Sequence, residues 1–331
     1  MKVLFGVYPW EFDCPGGGER QLLAYKEHLN RLEVEVDFYN QWEPNIKNYD
    51  IFHFFSVMPG SYQLCEYIKS QGLKLFISPN LWVTEETKYN YPHDEIKQLL
   101  EIADKIIVNS YMEAEALSSV YKISLEFFAV VHNGVEDRYF QVFNKNDFLN
   151  TFSLQNQKFI LNVANIEPRK NQDIFLKVLK KYPDLKFVVI GNIRDQSYYQ
   201  KCIEIAGEQL IFIGSLDYNS NLLHSAYLSC EFFAMPSTLE TPSIAALEAS
   251  ATGAKILITK EGSTKEYFQD YVSYVEPYSF QSIENAIENI LKQENDLNIK
   301  NNIKKFFNWE FVCKKLKLEY EINLEEDNMK R

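Results

Sequence analysis

Two successive sets of short apolar segments, alternating with longer amphipathic ones, constrain this chain more than any other feature. In the first half, apolar runs at residues 3–7, 34–38, 51–55, 73–78, 106–108 and 127–131 are interleaved with helix-like stretches at 19–31, 62–70 and 112–120. In the second half, runs at 159–163, 186–190, 210–213, 232–235, 255–258 and 274–275 alternate with stretches at 173–181, 198–205, 222–229 and 244–252. Parallel strands can be joined only by a crossover, so this alternation implies mostly parallel sheets covered by helices on both faces. Two such sets imply an α/β chain of two doubly wound units, and 331 residues suffice for two cores. The polar stretch 141–157, rich in Asn and Gln, is the expected linker, which gives domains 1–150 and 151–309. The stretch 310–325 reads as a terminal amphipathic helix with Phe311, Leu316, Leu318 and Tyr320 inward.

Charge and cysteine usage narrow the function classes. The formal net charge is -12, which argues against a nucleic-acid partner, because binding a phosphate backbone depends on clustered Lys and Arg. A local basic group, Lys304, Lys305, Lys314, Lys315 and Lys317, is compatible with peripheral contact at the inner membrane face, and more simply with a solvated helix face. Cysteines at 14, 65, 202, 230 and 313, with no Cys-x-x-Cys pair, fit buried thiols in a reducing compartment. The apolar N-terminal stretch is too short for a signal peptide and no run reaches about 18 apolar residues, so a cytoplasmic location is expected. The 21 Tyr and 24 Phe suit packed cores and a stacking-rich pocket.

The residues with the most chemical content follow the run 232–235. Glu240 and Glu248 flank Thr241-Pro242-Ser243 and the start of an apolar helical stretch. A helix beginning near Pro242 would leave Glu240 in the preceding loop and Glu248 about two turns along, at 1.5 Å per residue. Its cap residue, proline and free N–H groups near Ser243 and Ile244 would favour an anion such as phosphate. Carboxylates that accept hydroxyl hydrogens beside a phosphate-holding helix end suit a nucleotide sugar. The alternative is a solvated loop carboxylate and a helix-surface charge. Gly16-Gly17-Gly18, after the first apolar run, allows close backbone approach to a phosphate or forms a simple turn. Arg169 and Lys170 in Glu167-Pro168-Arg169-Lys170-Asn171 place two cations at a strand end, where they could neutralise a diphosphate leaving group or remain a solvated pair.

The segment from Tyr227 through Pro236-Ser237, Glu240, Glu248-Ala249 and Gly253 to Gly262-Ser263-Thr264-Lys265-Glu266 resembles the signature of retaining glycosyltransferases of family 4. The resemblance implies a GT-B fold, two Rossmann-like domains facing across a cleft, with the terminal helix returning to the first. It implies a cytoplasmic enzyme that moves a sugar from a nucleoside diphosphate sugar to a hydroxyl of a glycan or lipid-linked glycan, with no metal. It assigns ribose hydroxyls to Glu248, donor-sugar hydroxyls to Glu240, the diphosphate to Lys170 and Arg169, and a glycine loop beside the diphosphate to Gly17 and Gly18. Gly191 and Gly214-Ser215 end strands where relatives seat the base. Departures are specific: Thr241-Pro242-Ser243 replaces a glycine-rich stretch, and Ala164-Asn165 stands where relatives have Gly-Arg. Pro79-Asn80 takes the place of a cleft histidine, leaving Asn80 to supply a hydrogen bond. His53, Asn109-Ser110 and His132-Asn133-Gly134 resemble landmarks without assigned roles. The same fold also accommodates a noncatalytic sugar-nucleotide-binding subunit or an epimerase or phosphorylase.

Overall fold

The computed structural model describes residues 1–13, 16–295 and 297–330. Cys14, one of the five expected thiols, and Pro15, ahead of the glycine run, lie outside them. In the first half come β1 (Lys2–Val7), α1 (Gly17–Arg31), β2 (Glu35–Phe38), β3 (Ile51–Phe55), α2 (Ser61–Ser70) and β4 (Lys74–Ser78). After these lie α3 (His93–Glu101), β5 (Lys105–Val108), α4 (Tyr111–Tyr121), β6 (Phe128–Val130) and α5 (Asn146–Thr151). The second half begins with β7 (Lys158–Val163), α6 (Gln172–Leu179), β8 (Leu185–Ile190), α7 (Gln196–Ala206), β9 (Leu210–Gly214) and α8 (Asn221–Ser229). It continues through β10 (Phe232–Met235), α9 (Ile244–Thr252), β11 (Ile256–Thr259), α10 (Thr264–Phe268) and β12 (Ser273–Val275). Helices α11 (Phe280–Lys292), α12 (Asn298–Phe306) and α13 (Trp309–Lys330) end the chain.

Among the described residues these strands form two six-stranded parallel sheets, ordered β2-β1-β3-β4-β5-β6 and β12-β11-β10-β7-β8-β9. Both are doubly wound orders, with the strand order reversing between β1 and β3 in the first sheet and between β7 and β10 in the second. Ligands in such sheets bind beyond the strand carboxyl ends at that reversal. The chain divides into two compact units, Met1–Gly134 with Asn308–Arg331, and Val135–Phe307.

Period-2 alternation explains why the strands of the second unit are apolar throughout. Phe159, Leu161, Val188, Ile190, Phe233 and Met235 face one core, with Tyr227, Leu247 and Ile303 from the helices. Ile160, Phe187, Val189, Phe232 and Ala234 face the other, with Phe175, Leu176 and Ile287. Each fully buried aliphatic or aromatic side chain contributes about 1.5–3 kcal/mol relative to an exposed one.

The structure departs from the sequence reading at several elements. The division falls after Gly134 rather than near residue 150, and 141–157 contains α5. Phe148 of that helix is fully buried, its N–H donates to Ser225 Oγ at 2.9 Å, and Phe159 lies 5.8 Å from its ring. Asn and Gln on the exposed positions masked the Phe148, Phe152 and Leu154 contacts that hold it in the second unit. In α13 the inward residues are Trp309, Val312, Cys313, Leu316 and Tyr320, at i, i+3 and i+4 spacing, whereas Leu318 is 53% exposed. Helices α3, α10, α11 and α12 were not anticipated, although Ile283, Ala286, Ile287 and Ile290 carry the amphipathic signal for α11. The five lysines of the basic group divide between α12 and α13. Lys314 pairs with Glu310 at 2.6 Å and Lys317 donates to the Leu32 carbonyl at 2.9 Å. Of the thiols, Cys65, Cys202 and Cys313 are buried and Cys230 partly so, all reduced. No helix among the described residues is long and apolar enough to cross a membrane.

If α5 is part of the second core, Phe148→Ala will cost about 3–5 kcal/mol in urea unfolding followed by circular dichroism. A residue of a linker would give no change in midpoint.

Candidate functional site

The loops after β7 and β10, the two strands at the reversal of the second sheet, bring the main charged residues together. After β7 the chain turns through Pro168–Lys170 into Asn171, whose φ of 58° places it in the left-handed region. Asn171 Nδ2 donates to the carbonyls of Pro236 at 3.0 Å and Pro277 at 2.6 Å, tying this loop to those after β10 and β12. At the end of β7, fully buried Asn162 donates to the Ala234 carbonyl at 2.7 Å and accepts from Gln172 Nε2 at 3.3 Å. These amides hold the backbone on which Lys170 stands.

Lys170 Nζ lies 2.6 Å from Glu240 Oε1, and both side chains are buried. Arg169, half exposed, approaches the same oxygen at 3.6 Å, donates to the Leu239 carbonyl at 3.3 Å and reaches Glu167 Oε1 at 3.2 Å. Arg194, from the loop after β8, pairs with Glu167 Oε2 at 3.6 Å. Three cations therefore surround two carboxylates, an excess of one positive charge that favours an anion. Burial pushes the Glu240 carboxyl up, but the Lys170 and Arg169 cations more than offset it and hold the group below the ordinary carboxylate range. Burial pulls the Lys170 ammonium down, and the neighbouring Arg169 adds to this against the pull of Glu240. The sequence reading gave Glu240 and Lys170 to different parts of a ligand. In the structure each is also the other's partner.

Glu240 is fixed through its backbone as well. Its N–H donates to the Glu261 carbonyl at 3.2 Å and its carbonyl accepts from Ser263 N at 3.0 Å. Between these, Gly262 has φ +89°, and a Cβ there would stand 2.1 Å from the Glu240 carbonyl oxygen, so only glycine allows this contact. Ser263 Oγ, fully buried alongside, is without a hydrogen-bond partner among the described residues.

Glu248 is 1% exposed and accepts from Tyr227 Oη at 2.8 Å, and Glu240 is 5% exposed. This burial removes the reading of the two carboxylates as solvated surface charges. The helix begins later than expected: α9 starts at Ile244, so Pro242 precedes it and Glu248 sits just over one turn in. Ser243 is the cap residue, its Oγ accepting from Ala246 N at 3.3 Å, and its φ of 84° is a sparsely populated conformation that costs about 1–3 kcal/mol. Helix geometry leaves the Ile244 and Ala245 N–H groups without intrahelical acceptors. Gly191 ends β8 in contact with the first loop, where an added Cβ would stand 2.2 Å from the Ala164 carbonyl oxygen. Gly214 ends β9 and its carbonyl accepts from Gly191 N at 3.1 Å. Asn165, in place of the expected arginine, caps the same junction by accepting from Asn192 N at 3.2 Å.

The remaining candidates belong to the first unit. Gly17 opens α1, and Glu11 Oε1 lies 3.0 Å from where a Cβ on Gly18 would stand. A carboxylate thus adjoins the glycine run where the sequence reading placed a phosphate. Asn80 follows β4 with φ 48°, and its Oδ1 accepts from Asn109 Nδ2 at 2.9 Å. Asn109 in turn accepts from Gln21 Nε2 at 2.6 Å, and buried Glu113 accepts from the N–H groups of Asn109 and Leu81. This network orients Asn80. His53 bridges Tyr320 Oη at 2.6 Å and Ser78 Oγ at 2.8 Å inside the core, with its pKa pulled down to about 3 by burial, as a structural residue would be. Sequence reasoning missed Arg194, Asn162, Gln172 and Glu113, whose roles depend on contacts between distant loops, and named Tyr227 only as the start of the signature segment. A lone polar residue in an apolar run, as at Asn162, was the available signal.

Residues 144–306 match the family described as Glycosyl transferases group 1, a span that covers nearly the whole of the second unit. The D-inositol 3-phosphate glycosyltransferase of Mycolicibacterium smegmatis is 27% identical over 187 residues, 54% of this chain and 42% of that protein. This chain therefore spans less than half the length of that relative. An uncharacterized glycosyltransferase of Methanocaldococcus jannaschii is 22% identical over 238 residues, covering 67% of this chain and 60% of that one. Among solved structures, sucrose-phosphate synthase from Thermosynechococcus elongatus aligns with a TM-score of 0.79 at 15% identity, covering 97% of this chain and 98% of that one. Anabaena HepE in complex with UDP-glucose aligns at 0.78 and 16%, covering 97% and 99%. At such identities the likeness establishes the fold, which is the two-domain α/β GT-B fold.

Lys170→Met strands a buried carboxylate and will cost about 3–5 kcal/mol in denaturant unfolding, whereas Lys170→Met combined with Glu240→Leu will cost at least about 1 kcal/mol less than the single change. Equal losses in the two proteins would show that the pair is not coupled.

Proposed function

We propose that this protein is a retaining, metal-independent glycosyltransferase that moves a sugar from a nucleoside diphosphate sugar to a hydroxyl of a glycan or lipid-linked glycan. The observation that carries the reading is the buried Lys170–Glu240 pair with Arg169 and Arg194 at the strand-order reversal of the second sheet. A ligand that unites hydroxyls with a diphosphate matches that mixture of a carboxylate acceptor and surplus cations. The UDP-glucose complex of HepE, a structure of the same fold, and the group 1 family match support the donor class.

In this reading Glu248 holds the ribose hydroxyls and Glu240 the donor-sugar hydroxyls. Lys170 and Arg169 balance the diphosphate, and the first N–H groups of α9, following Ser243 at Ile244, support it. Gly191 and Gly214 let the base approach the sheet edge, and Asn80 with Gly17 and Gly18 serve in the first unit. The bond from the sugar's anomeric carbon to the diphosphate oxygen breaks, and the acceptor oxygen bonds to that carbon on the same face. The acceptor's proton passes to the departing phosphate oxygen, so no protein base is needed. Products are the glycoside and the nucleoside diphosphate. Catalysis then rests on positioning and on stabilising the leaving group's charge, which the cations provide without a metal. The reduced thiols suit work in the cytoplasm.

Uridine diphosphate and a panel of nucleoside diphosphate sugars will raise the melting temperature of the wild type. Glu248→Gln will weaken binding at least tenfold while retaining native circular dichroism. Absence of any nucleotide-dependent shift in the wild type would refute the donor site.

Nucleotide affinity will also depend on pH through Lys170. Its ammonium must be charged to hold the diphosphate, and its folded pKa lies below the ordinary 10.5. Affinity will therefore be full below that lowered value and fall as pH rises through it, before a free lysine would lose its proton. Glu240 acts in the opposite sense: its ionised form persists to below the ordinary 4.5, so the pair is lost only as pH falls through that depressed value. Calorimetric titration of uridine diphosphate between pH 7 and 10 measures the first effect, and a flat profile contradicts it.

A further inference from the structure

The carboxyl edge of the first unit's sheet has a composition unlike the rest of the chain. The segments following its six strands are residues 8–16, 39–45, 56–60, 79–92, 109–110 and 131–134, and they contain Trp10, Trp42 and Trp82, three of the protein's four tryptophans. Their basic side chains are Lys88, which is paired with Glu85 at 2.8 Å, and His132. Arg20, in the first turn of α1, is engaged within the fold. In the segments that follow β1 and β2, which are neighbouring strands, three aromatic rings are exposed: Trp42 83%, Trp10 48% and Phe12 46%. Two of them are braced at the base, Trp10 by Tyr8 at 5.3 Å and Phe12 by Phe38 at 5.6 Å in an edge-on contact. Between Trp10 and Phe12 in sequence, buried Glu11 points its carboxylate at the Gly18 backbone.

We propose that the edge formed by Trp10, Phe12 and Trp42 with Glu11 binds a neutral oligosaccharide, which is the acceptor of the transfer. Braced aromatic faces offer flat apolar area to the C–H faces of pyranose rings, and a carboxylate accepts hydrogen bonds from their hydroxyls. A phosphorylated acceptor, such as the relatives' name implies for them, requires guanidinium or ammonium donors, and these segments supply none that is unpaired. An anionic bilayer is disfavoured for the same reason, compounded by the net charge of -12. The word acceptor rests on the proposed glycosyl transfer; the binding of the glycan does not.

Calorimetry and intrinsic tryptophan fluorescence of the full chain, with neutral gluco-, manno- and galacto-oligosaccharides of two to six units, test this. The same titrations with inositol 3-phosphate and with phosphatidylglycerol-containing vesicles distinguish the other ligands. Saturable binding of at least one neutral oligosaccharide is expected, weakened at least tenfold in Trp42→Ala and in Trp10→Ala, with neither inositol 3-phosphate nor vesicles bound at this edge. No oligosaccharide binding, unchanged affinity in both variants, or tryptophan-dependent binding of inositol 3-phosphate or vesicles would overturn it. Thermal shift with uridine diphosphate is read in parallel on all three proteins and reports on the second unit. Loss of that shift in the wild type would sink the donor reading while leaving the glycan result to decide this one.

Discussion

A parallel strand can reach its neighbour only by a crossover that returns the chain to the starting end. Everything else in this structure depends on that constraint. Within each sheet it sends every strand's carboxyl end to one edge, so the loops that leave those ends collect there however far apart they lie in sequence. Lys170 and Glu240 meet at 2.6 Å because the loops after β7 and β10 emerge side by side. Arg194 joins them from β8, the next strand over. The reversal of strand order between β7 and β10 lies where these charges converge, the place at which doubly wound sheets generally bind ligands.

The arrangement of polar groups around the pair shows how a low-dielectric site keeps its charges. A buried carboxylate or ammonium alone would lose its proton balance to desolvation, but together, with Arg169 in reach, they keep Glu240 ionised. The surrounding amides serve geometry rather than charge. Asn171 connects three loops, Asn162 and Gln172 anchor the first of them, and Gly262 lets the Glu240 peptide pack without a side chain between. In the first unit the Gln21–Asn109–Asn80 chain and Glu113 provide a comparable internal support.

Much of the fold was legible because hydrophobic periodicity is a local property: the twelve strands among the described residues and most of the crossover helices coincide with apolar or amphipathic stretches. The failures were local in kind as well. Helix α5 was read as linker because its exposed residues are Asn and Thr, while its single fully buried anchor, Phe148, acts through Phe159 and through Ser225, 77 residues along the chain. Leu318 was placed inward by residue type alone, although the i, i+3, i+4 stripe through Val312, Cys313, Leu316 and Tyr320 leaves it on the outer face.

For the candidate site, the sequence by itself determined the residue types and their order: carboxylates at 240 and 248, cations at 169 and 170, and glycines at the ends of apolar runs. These follow from spacing along one chain, and spacing is enough to assign a strand, a loop and a following helix, though not the residue at which the helix starts. Only the tertiary structure decided that Glu240 and Lys170 neutralise each other, that Arg194 joins them through Glu167, and that Glu11 rather than open space adjoins Gly18. The physical reason is that Coulomb energy and burial depend on separation in space, and a separation of 70 residues becomes 2.6 Å only when two crossovers end at one sheet edge.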